Sequence, residues 1–276
     1  MQLNDLLASQ FVLPSIPQVI ALLLSELEKD EPDLMRISQL ISSDPALTTR
    51  LLQLSNSGYF KLSGQINSVS ESLAILGLGH VRTMATAAAS AASFKAVPGI
   101  HLQKFWSYSL KVAKLSRSLA GVLRQNQQAA FTCGLIHAIG ELAIHIGMPE
   151  ATARLDREVP PLDLRRADTE REALGFCYAQ VGAGLAAKWH FPQSMVDALE
   201  HQYAPFDNDV YEPLAGVIHL ATWRERAREA ELSERELAVT FPGRVGEVFG
   251  IDIDMVLQQD AFDWFSPNRG NARKPM

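Results

Sequence analysis

Cysteine is scarce in this sequence. The 276 residues contain only Cys133 and Cys177, which stand singly in apolar contexts without a Cys-x-x-Cys spacing. This usage is typical of buried free thiols in a reducing compartment, and a disulfide framework is not predicted.

Basic clusters and membrane-like segments are missing as well. No basic run is longer than the pair Arg165-Arg166, and 25 basic against 31 acidic residues give a net charge of −6, which argues against a nucleic-acid footprint. The first residues lack the charged and apolar regions of a secretory signal. The stretch most like a membrane span, Thr83–Phe94, is too short and too rich in Ala, Ser and Thr. We therefore expect a cytoplasmic protein without a membrane span.

Helical periodicity and helix-start signals are abundant. In Asp44-Pro45 the aspartate can accept backbone N–H groups while proline fills the first helical position without losing a hydrogen bond. Gly77 and Gly79 should interrupt the helix that follows Ser68. The charged alternation from Arg224 to Glu231 predicts a solvated helix face. No strand alternation and no repeat is visible, so the predicted fold class is all-α.

The segment Phe131–Gly147 is apolar on every side and should form the centre of the core. Cys133, His137, Glu141 and His145 recur in it every four residues, which is compatible with a zinc pair or a Cys/His nucleophile dyad. A thiol in so apolar a setting has a raised pKa, however, so a core cysteine and hydrogen-bonded histidines are the better interpretation.

Two stretches resemble a known family. Gly134-Leu135-Ile136-His137-Ala138-Ile139-Gly140 resembles the GLLHDIG segment of the HD superfamily, with Ala138 in place of the metal-binding Asp. The stretch 42–82 resembles the N-terminal signature of HDOD domains, the HD-related output domains of bacterial signalling proteins. The positions that carry this second resemblance are Asp44-Pro45-Ala46-Leu47, Arg50-Leu51-Leu52, Asn56-Ser57, Tyr59, Ile66, Ser68, Leu76-Gly77-Leu78 and Val81-Arg82.

The resemblance implies a two-lobed helical architecture. We expect an N-terminal lobe of about five helices at residues 1–98, packed on an HD-like helical lobe at residues 99–265. Residues 266–276 are predicted to form a flexible tail.

The resemblance also implies where a metal site would lie. HD-type hydrolases hold divalent metals with His and Asp from several helices, and the metal activates a water for attack on a phosphate ester. The corresponding positions in this chain are Tyr108, His137, Ala138, Tyr178, His201 and Thr222. Two histidines without a carboxylate do not make such a site, so we predict no metal and no cofactor. We also predict that a hydroxyl of Tyr108 or Tyr178 hydrogen-bonds His137 or His201, with Thr222 as a second partner.

A second candidate region is the helix break at Asn56, Ser57, Tyr59 and Phe60. Its aromatic pair could dock a partner or plug the interface between the lobes, and the plug is favoured because apolar loop residues are commonly buried.

The predicted function is that of a non-enzymatic signalling domain. It would bind a partner protein, with a small nucleotide as the second option, in the groove between the lobes. HDOD domains are often attached to receiver or cyclic-di-GMP enzymes, for which this chain has no room. The resemblance therefore implies a sensor kinase, receiver or cyclic-di-GMP enzyme acting in trans. The alternatives are a metal-dependent phosphohydrolase or cyclic-nucleotide phosphodiesterase and, against the acidic balance, a DNA-binding regulator.

Overall fold

The structure, a computed structural model, describes residues 2–9, 12–60, 64–92, 96–206, 209 and 211–259. These residues form sixteen α-helices and one short 3-10 helix, Gly58–Phe60, with no β-strand among them. The predicted all-α class is confirmed. In chain order the helices are α1 (Leu3–Ala8), α2 (Pro17–Leu27), α3 (Leu34–Ser42), α4 (Pro45–Ser55), α5 (Val69–Ala92), α6 (Leu102–Val122), α7 (Gln127–Ile136), α8 (Ile139–Gly147), α9 (Pro149–Glu158), α10 (Arg166–Leu174), α11 (Tyr178–Lys188), α12 (Gln193–His201), α13 (Pro213–Glu229), α14 (Glu234–Thr240), α15 (Gly243–Phe249) and α16 (Ile253–Leu257).

Helices α2 to α5 form the N-terminal lobe around their own apolar cluster, which includes Leu23, Ile37 and Leu51. Asp44 starts α4 as predicted, because its Oδ1 accepts the N–H of Leu47. Its Oδ2 also accepts the N–H of Ile16 over 2.6 Å. One carboxylate therefore fixes the start of α4 against the residue that precedes α2.

The predicted interruption of α5 lies at Gly77. This residue has φ 70° and ψ 166° inside an otherwise continuous helix, a conformation that a residue with a Cβ adopts only with strain. The helix bends there.

Helix α1 does not join the N-terminal lobe, although the predicted bounds of that lobe, residues 1–98, include it. Its Leu6 is completely buried in a cluster formed by α8, α10 and α11, and Lys188 Nζ at the end of α11 donates to the carbonyl of Leu7 over 2.9 Å. The beginning of the chain therefore packs on the second lobe.

The second lobe forms around residues 127–147, which contain the predicted core segment Phe131–Gly147, but these residues form two helices and not one. Helix α7 ends at Ile136, α8 begins at Ile139, and His137 and Ala138 form the break. The segment is apolar and long enough to cross a membrane, but its most apolar window is 94% buried inside the fold, as in the core helices of globular proteins. Because of the break, His137 and Glu141 do not share one continuous helix face.

Two glycines let neighbouring helices approach this break. A Cβ on Gly134 would lie 2.9 Å from Cα of Ala113 in α6, and a Cβ on Gly140 would overlap the carbonyl oxygen of Tyr178 at the start of α11. The absence of side chains at both positions brings α6 and α11 against opposite sides of the His137 turn.

Candidate functional site

His137 lies at the break between α7 and α8 and is completely buried. Its Nδ1 is 2.7 Å from the carbonyl oxygen of Gly134, so this nitrogen carries the ring proton and donates it. Nε2 is then an acceptor, and the hydroxyl of Tyr108 donates to it over 3.3 Å. Burial lowers the pKa of His137 to about 3, so the ring is neutral near pH 7. The predicted hydrogen bond between a tyrosine hydroxyl and His137 is confirmed.

Tyr108 and Tyr178 come from α6 and α11 and both contact Arg226. Arg226 Nε donates to the Tyr108 hydroxyl over 3.1 Å, and its Nη2 donates to the Tyr178 hydroxyl over 3.2 Å. The guanidinium carbon also lies 5.3 Å from the centre of the Tyr178 ring, within the range of a cation–π contact. A chain of hydrogen bonds therefore runs from Arg226 through Tyr108 to His137.

Arg226 was not among the predicted site residues. The alternation from Arg224 to Glu231 was predicted to be solvated, but Glu225 and Arg226 are each only 4% exposed, so this prediction is wrong for both. Arg226 lies one helical turn after Thr222 and therefore shares its inward face. Its Nη1 donates to the carbonyl of Asp163 over 2.9 Å.

His201 is not part of this site, contrary to the prediction. It lines a different cavity, together with Arg171 and Cys177. The neighbouring Gln202 takes its place, since Gln202 Nε2 donates to the carbonyl of His137 over 3.0 Å.

Thr222 lies where the resemblance places it, next to the Tyr108 hydroxyl. Burial raises the pKa of the Tyr108 hydroxyl, and the nearby Thr222 lowers it by less, so the net change in pKa is upward. Thr222 Oγ1 lies beside this hydroxyl without a hydrogen bond of acceptable geometry, so its predicted role as a second partner stays a prediction.

The side chains at this site do not fit a divalent metal. Ala138 offers a methyl group, the neutral ring of His137 already uses both nitrogens, and the nearest polar groups are phenols. A cation, Arg226, is hydrogen-bonded to both tyrosines and would repel a metal ion. The described residues contain no group of three or more His, Cys, Asp or Glu able to hold a metal.

A buried charge cluster lies beside the site. The guanidinium of Arg166 is ion-paired with Glu141 at 2.7 Å, Asp156 at 2.9 Å and Glu170 at 2.9 Å. Burial, and then the Glu170 carboxylate, raise the pKa of Glu141 well above its usual range. The other oxygen of Glu170 accepts the N–H of Tyr178 over 2.7 Å. The cluster therefore ties α8, α9 and α10 to the start of α11, which holds Tyr178 in position.

His145 and Cys133, two of the residues that recur every four positions, have structural roles. His145 Nδ1 donates to the carbonyl of Glu141 over 2.8 Å, and its Nε2 lies 3.1 Å from Asp156 Oδ2. Cys133 is completely buried, and burial raises the pKa of its thiol. Neither the zinc pair nor the nucleophile dyad has the geometry it needs.

A cavity of about 470 Å³ opens onto the site. Its inner wall includes Tyr178, Gln202, Thr222 and Arg226, and its outer wall includes Asp168, Tyr203, His219 and Arg244. All the lining residues belong to the region 164–245 of the second lobe. This position differs from the groove between the lobes, where we predicted the binding site.

The second candidate region divides into a buried and an exposed part. Asn56 is completely buried; its Nδ2 donates to the carbonyls of Leu52 and Ile66, and its Oδ1 accepts the N–H groups of Gln65 and Ile66. It therefore shapes the loop and is not an interaction residue. Ser57 is half-buried and donates to the carbonyl of Leu54.

The aromatic pair of that loop does not plug the lobe interface. Tyr59 is 83% exposed, and half-buried Phe60 contacts the edge of His80 at a centroid distance of 5.5 Å. The predicted plug is wrong for Tyr59, which lies open to solvent.

The chain matches the family described as the HDOD domain over residues 13–205, which is well over half of its length. The chain belongs to the HDOD family. This membership confirms the resemblance found in the signature from Asp44 to Arg82, and it extends through the break at His137.

Two solved structures of similar fold illustrate the family. The HDOD chain is similar to the MmoQ response regulator of Methylococcus capsulatus str. Bath, with a TM-score of 0.70 and 25% identity, covering 89% of this chain and 98% of that one. It is also similar to a protein of Shewanella amazonensis SB2B named as a candidate phosphohydrolase. That likeness has a TM-score of 0.52 and 27% identity and covers 92% and 91% of the two chains.

Curated relatives are longer than this HDOD chain. An uncharacterised protein of Treponema pallidum (strain Nichols) is 26% identical over 227 residues, which is 79% of this chain and 43% of that protein. The match to YuxH of Bacillus subtilis (strain 168) is 32% identical over 60 residues and covers 15% of that protein. The chain spans less than half the length of the curated relatives it matches.

Proposed function

We propose that this HDOD chain is a non-enzymatic signalling domain that acts by binding a partner protein in trans. The observation that carries the proposal is the hydrogen-bonded unit of Arg226, Tyr108 and His137. Tyr108 and His137 stand at positions where the resemblance places metal ligands of HD-type hydrolases. A fixed cation and neutral phenols there cannot activate a water as a metal does. The likeness to a response regulator supports a place in signal transduction.

The partner belongs to a signalling pathway: a sensor kinase, a receiver or a cyclic-di-GMP enzyme. Tyr59 is the residue through which we expect it to dock, because a large exposed aromatic side chain is typical of binding hot spots. Affinity capture with the purified chain, followed by mass spectrometry, identifies the partner. Tyr59→Ala should abolish capture without changing thermal stability. Tyr211→Ala removes an exposed aromatic residue of the second lobe and is the matched control. Equal capture by all three proteins contradicts docking at Tyr59.

A metal-dependent phosphohydrolase is the second candidate, because His137 is retained and one neighbour is named for that activity. Metal analysis of protein produced with added manganese, iron or zinc separates the two functions, together with hydrolysis assays on phosphomonoesters and cyclic nucleotides. We expect no stoichiometric metal and no metal-dependent turnover. Ala138→Asp should not restore metal binding, since it adds one carboxylate while the other ligands are still missing. Stoichiometric metal with turnover in the unmodified chain overturns the proposal.

A further inference from the structure

Arg226 is a buried cation that forms no ion pair with a carboxylate in the described part of the chain. Its three hydrogen bonds go to two tyrosine hydroxyls and one backbone carbonyl. No carboxylate lies within 4.0 Å of it in the part of the chain that the structure describes. A desolvated charge is costly unless it is paired, so this arrangement calls for an anion from outside the chain.

None of the neighbouring acidic groups that the structure describes forms an ion pair with Arg226, although the carboxylates of Asp163 and Glu141 act on it electrostatically. Burial raises the pKa of the hydroxyls of Tyr108 and Tyr178, so both stay neutral. Glu141 acts on Arg226 electrostatically, but its carboxylate is the ion-pair partner of Arg166 and has a raised pKa of its own.

The walls of the cavity beside Arg226 hold two unsatisfied polar atoms. Thr222 Oγ1 and Gln202 Oε1 are buried and have no hydrogen-bond partner of acceptable geometry in the described part of the chain, and both residues line the cavity. A buried polar atom left without a partner destabilises the folded state. Together with the unpaired cation, these atoms point to a ligand that is not part of this chain.

We propose that this cavity binds a small molecule through an oxyanion, a phosphate or carboxylate group held by the guanidinium of Arg226. This ligand class belongs to the same site as the proposed function and deepens that function. The inference rests on the proposed function, because it requires that the ligand is bound and not hydrolysed. The cavity volume of about 470 Å³ lies within the range of small-molecule sites.

The donors around the cavity match an oxyanion. Of the five N–H groups of Arg226, three are used, and the remaining two lie one on each terminal nitrogen, the number that a two-point contact with a carboxylate or phosphate takes. The Tyr178 hydroxyl accepts from Arg226 and keeps its own proton to donate. Thr222 Oγ1 supplies another donor.

The outer wall favours the same ligand class on balance. Arg244 adds a second positive charge there, with its Nη2 donating to the carbonyl of Phe206 over 2.7 Å. Asp168 is the opposing charge, but it is exposed and its carboxylate accepts the hydroxyl of Tyr203. The Gln202 Oε1 atom can accept a hydrogen bond from the rest of the ligand.

The test is calorimetric titration of the full chain with sodium phosphate and, separately, with sodium acetate, against sodium chloride at the same ionic strength. We expect saturable binding of at least one oxyanion, and Arg226→Gln should weaken it at least about tenfold. Arg228→Gln removes an exposed arginine from the same helix and should keep the wild-type affinity.

A second variant keeps the test valid if Arg226→Gln fails to fold. Thr222→Val removes the unsatisfied hydroxyl at nearly constant volume, so it should leave the free protein as stable as before or more so, and still weaken oxyanion binding several-fold. A purely structural role for Thr222 predicts no change in affinity.

Each outcome either identifies the chemical source of the oxyanion or contradicts the inference. Binding of phosphate alone assigns a phosphate ester, and binding of acetate assigns a carboxylate. No saturable binding of either anion, or equal affinity in the wild type, Arg226→Gln and Thr222→Val, overturns the inference while partner capture can still succeed. Manganese-dependent hydrolysis of p-nitrophenyl phosphate overturns the proposed function instead.

Discussion

The hydroxyl of Tyr108 makes two hydrogen bonds that no other group can replace: it accepts from Arg226 and donates to His137. Tyr108→Phe leaves both partners buried without it, so the free energy of unfolding should fall by about 1–3 kcal/mol. Urea denaturation measures this change. Tyr59→Phe removes a solvent-exposed hydroxyl and should change stability by much less. Equal stability of the wild type and Tyr108→Phe would contradict the hydrogen-bond chain.

The neutral ring of His137 makes stability depend on pH. Its pKa is lowered from the ordinary 6.5 to about 3 in the folded state, so between these values the unfolded chain binds the proton first, and stability falls as the pH falls. The loss at pH 5 should be about 2 kcal/mol relative to pH 7. His137→Gln should remove this share of the pH dependence, which denaturation at several pH values measures.

Asp44 titrates in the same window in the opposite sense. Burial raises its pKa from 3.8 to about 6, so the folded state takes up this proton first and its contribution to stability rises as the pH falls. The difference between the wild type and His137→Gln therefore isolates the histidine, since Asp44 is present in both. Parallel curves for the two proteins would show that His137 can be protonated without loss.

Of the residues at this site, the sequence predicted the bond between Tyr108 and His137 but not the role of Arg226. The bond of Tyr108 to His137 follows from aligned positions and from the need of a buried imidazole for partners. Arg226 was missed because a charged alternation usually lies in solvent. The signal that could have found it is the apolar run Leu214–Trp223, whose inward face continues to Arg226 at a spacing of four from Thr222.

At the scale of helices, contacts between helices determine the geometry of the site. The contact between α8 and α11 is very close at Gly140. Gly140→Ala places a methyl group on the carbonyl oxygen of Tyr178, so the helices must separate at a cost of about 1–3 kcal/mol. Gly182→Ala, in α11, meets its nearest neighbour at 3.8 Å and should be neutral or stabilising by up to about 1 kcal/mol. Thermal unfolding compares the two variants. A Gly140→Ala protein as stable as Gly182→Ala would contradict the close contact.

Local signals predicted the helix starts but not the helix break. Asp44-Pro45 and Gly77 act through their own backbone, so the sequence reveals them. The break at His137-Ala138 carries no proline and no turn residue of its own. It follows from the packing of Gly140 on α11, which is a long-range contact that the sequence of the segment does not show.

At the scale of the whole molecule, the two lobes share apolar contacts. Leu13, Leu52 and Ile66 from the first part of the chain belong to the same cluster as Leu135 and Val217 of the second lobe. Helix α1 crosses in the same direction, since Leu6 is buried against α8 and α11. We therefore expect the chain to unfold in one cooperative transition.

The contact of α1 provides the test. Leu6→Ala creates a cavity far from the end of the first lobe and should destabilise the protein by about 2–5 kcal/mol, with a single transition seen by both tryptophan fluorescence and circular dichroism. Leu22→Ala, at an exposed position of α2, should change stability little. Two separate transitions, or no effect of Leu6→Ala, would show that α1 is not part of the cooperative unit.

The position of α1 could not have been predicted from the sequence. Leu3, Leu6 and Leu7 indicate a helix with one apolar side, but nothing near them tells which lobe covers that side. The predicted boundary near residue 98 came from Pro98-Gly99, which is a local signal, whereas the partner of α1 lies more than a hundred residues away.

The guanidinium of Arg226 has one more consequence. A metal ion is acquired after synthesis, can be stripped by a chelator and varies with the supply of the growth medium. An arginine side chain is built in by the ribosome, so every folded copy carries the same positive charge at this point from the start. The positive charge of Arg226 is thereby independent of metal homeostasis, and starvation for iron, manganese or zinc leaves it unchanged.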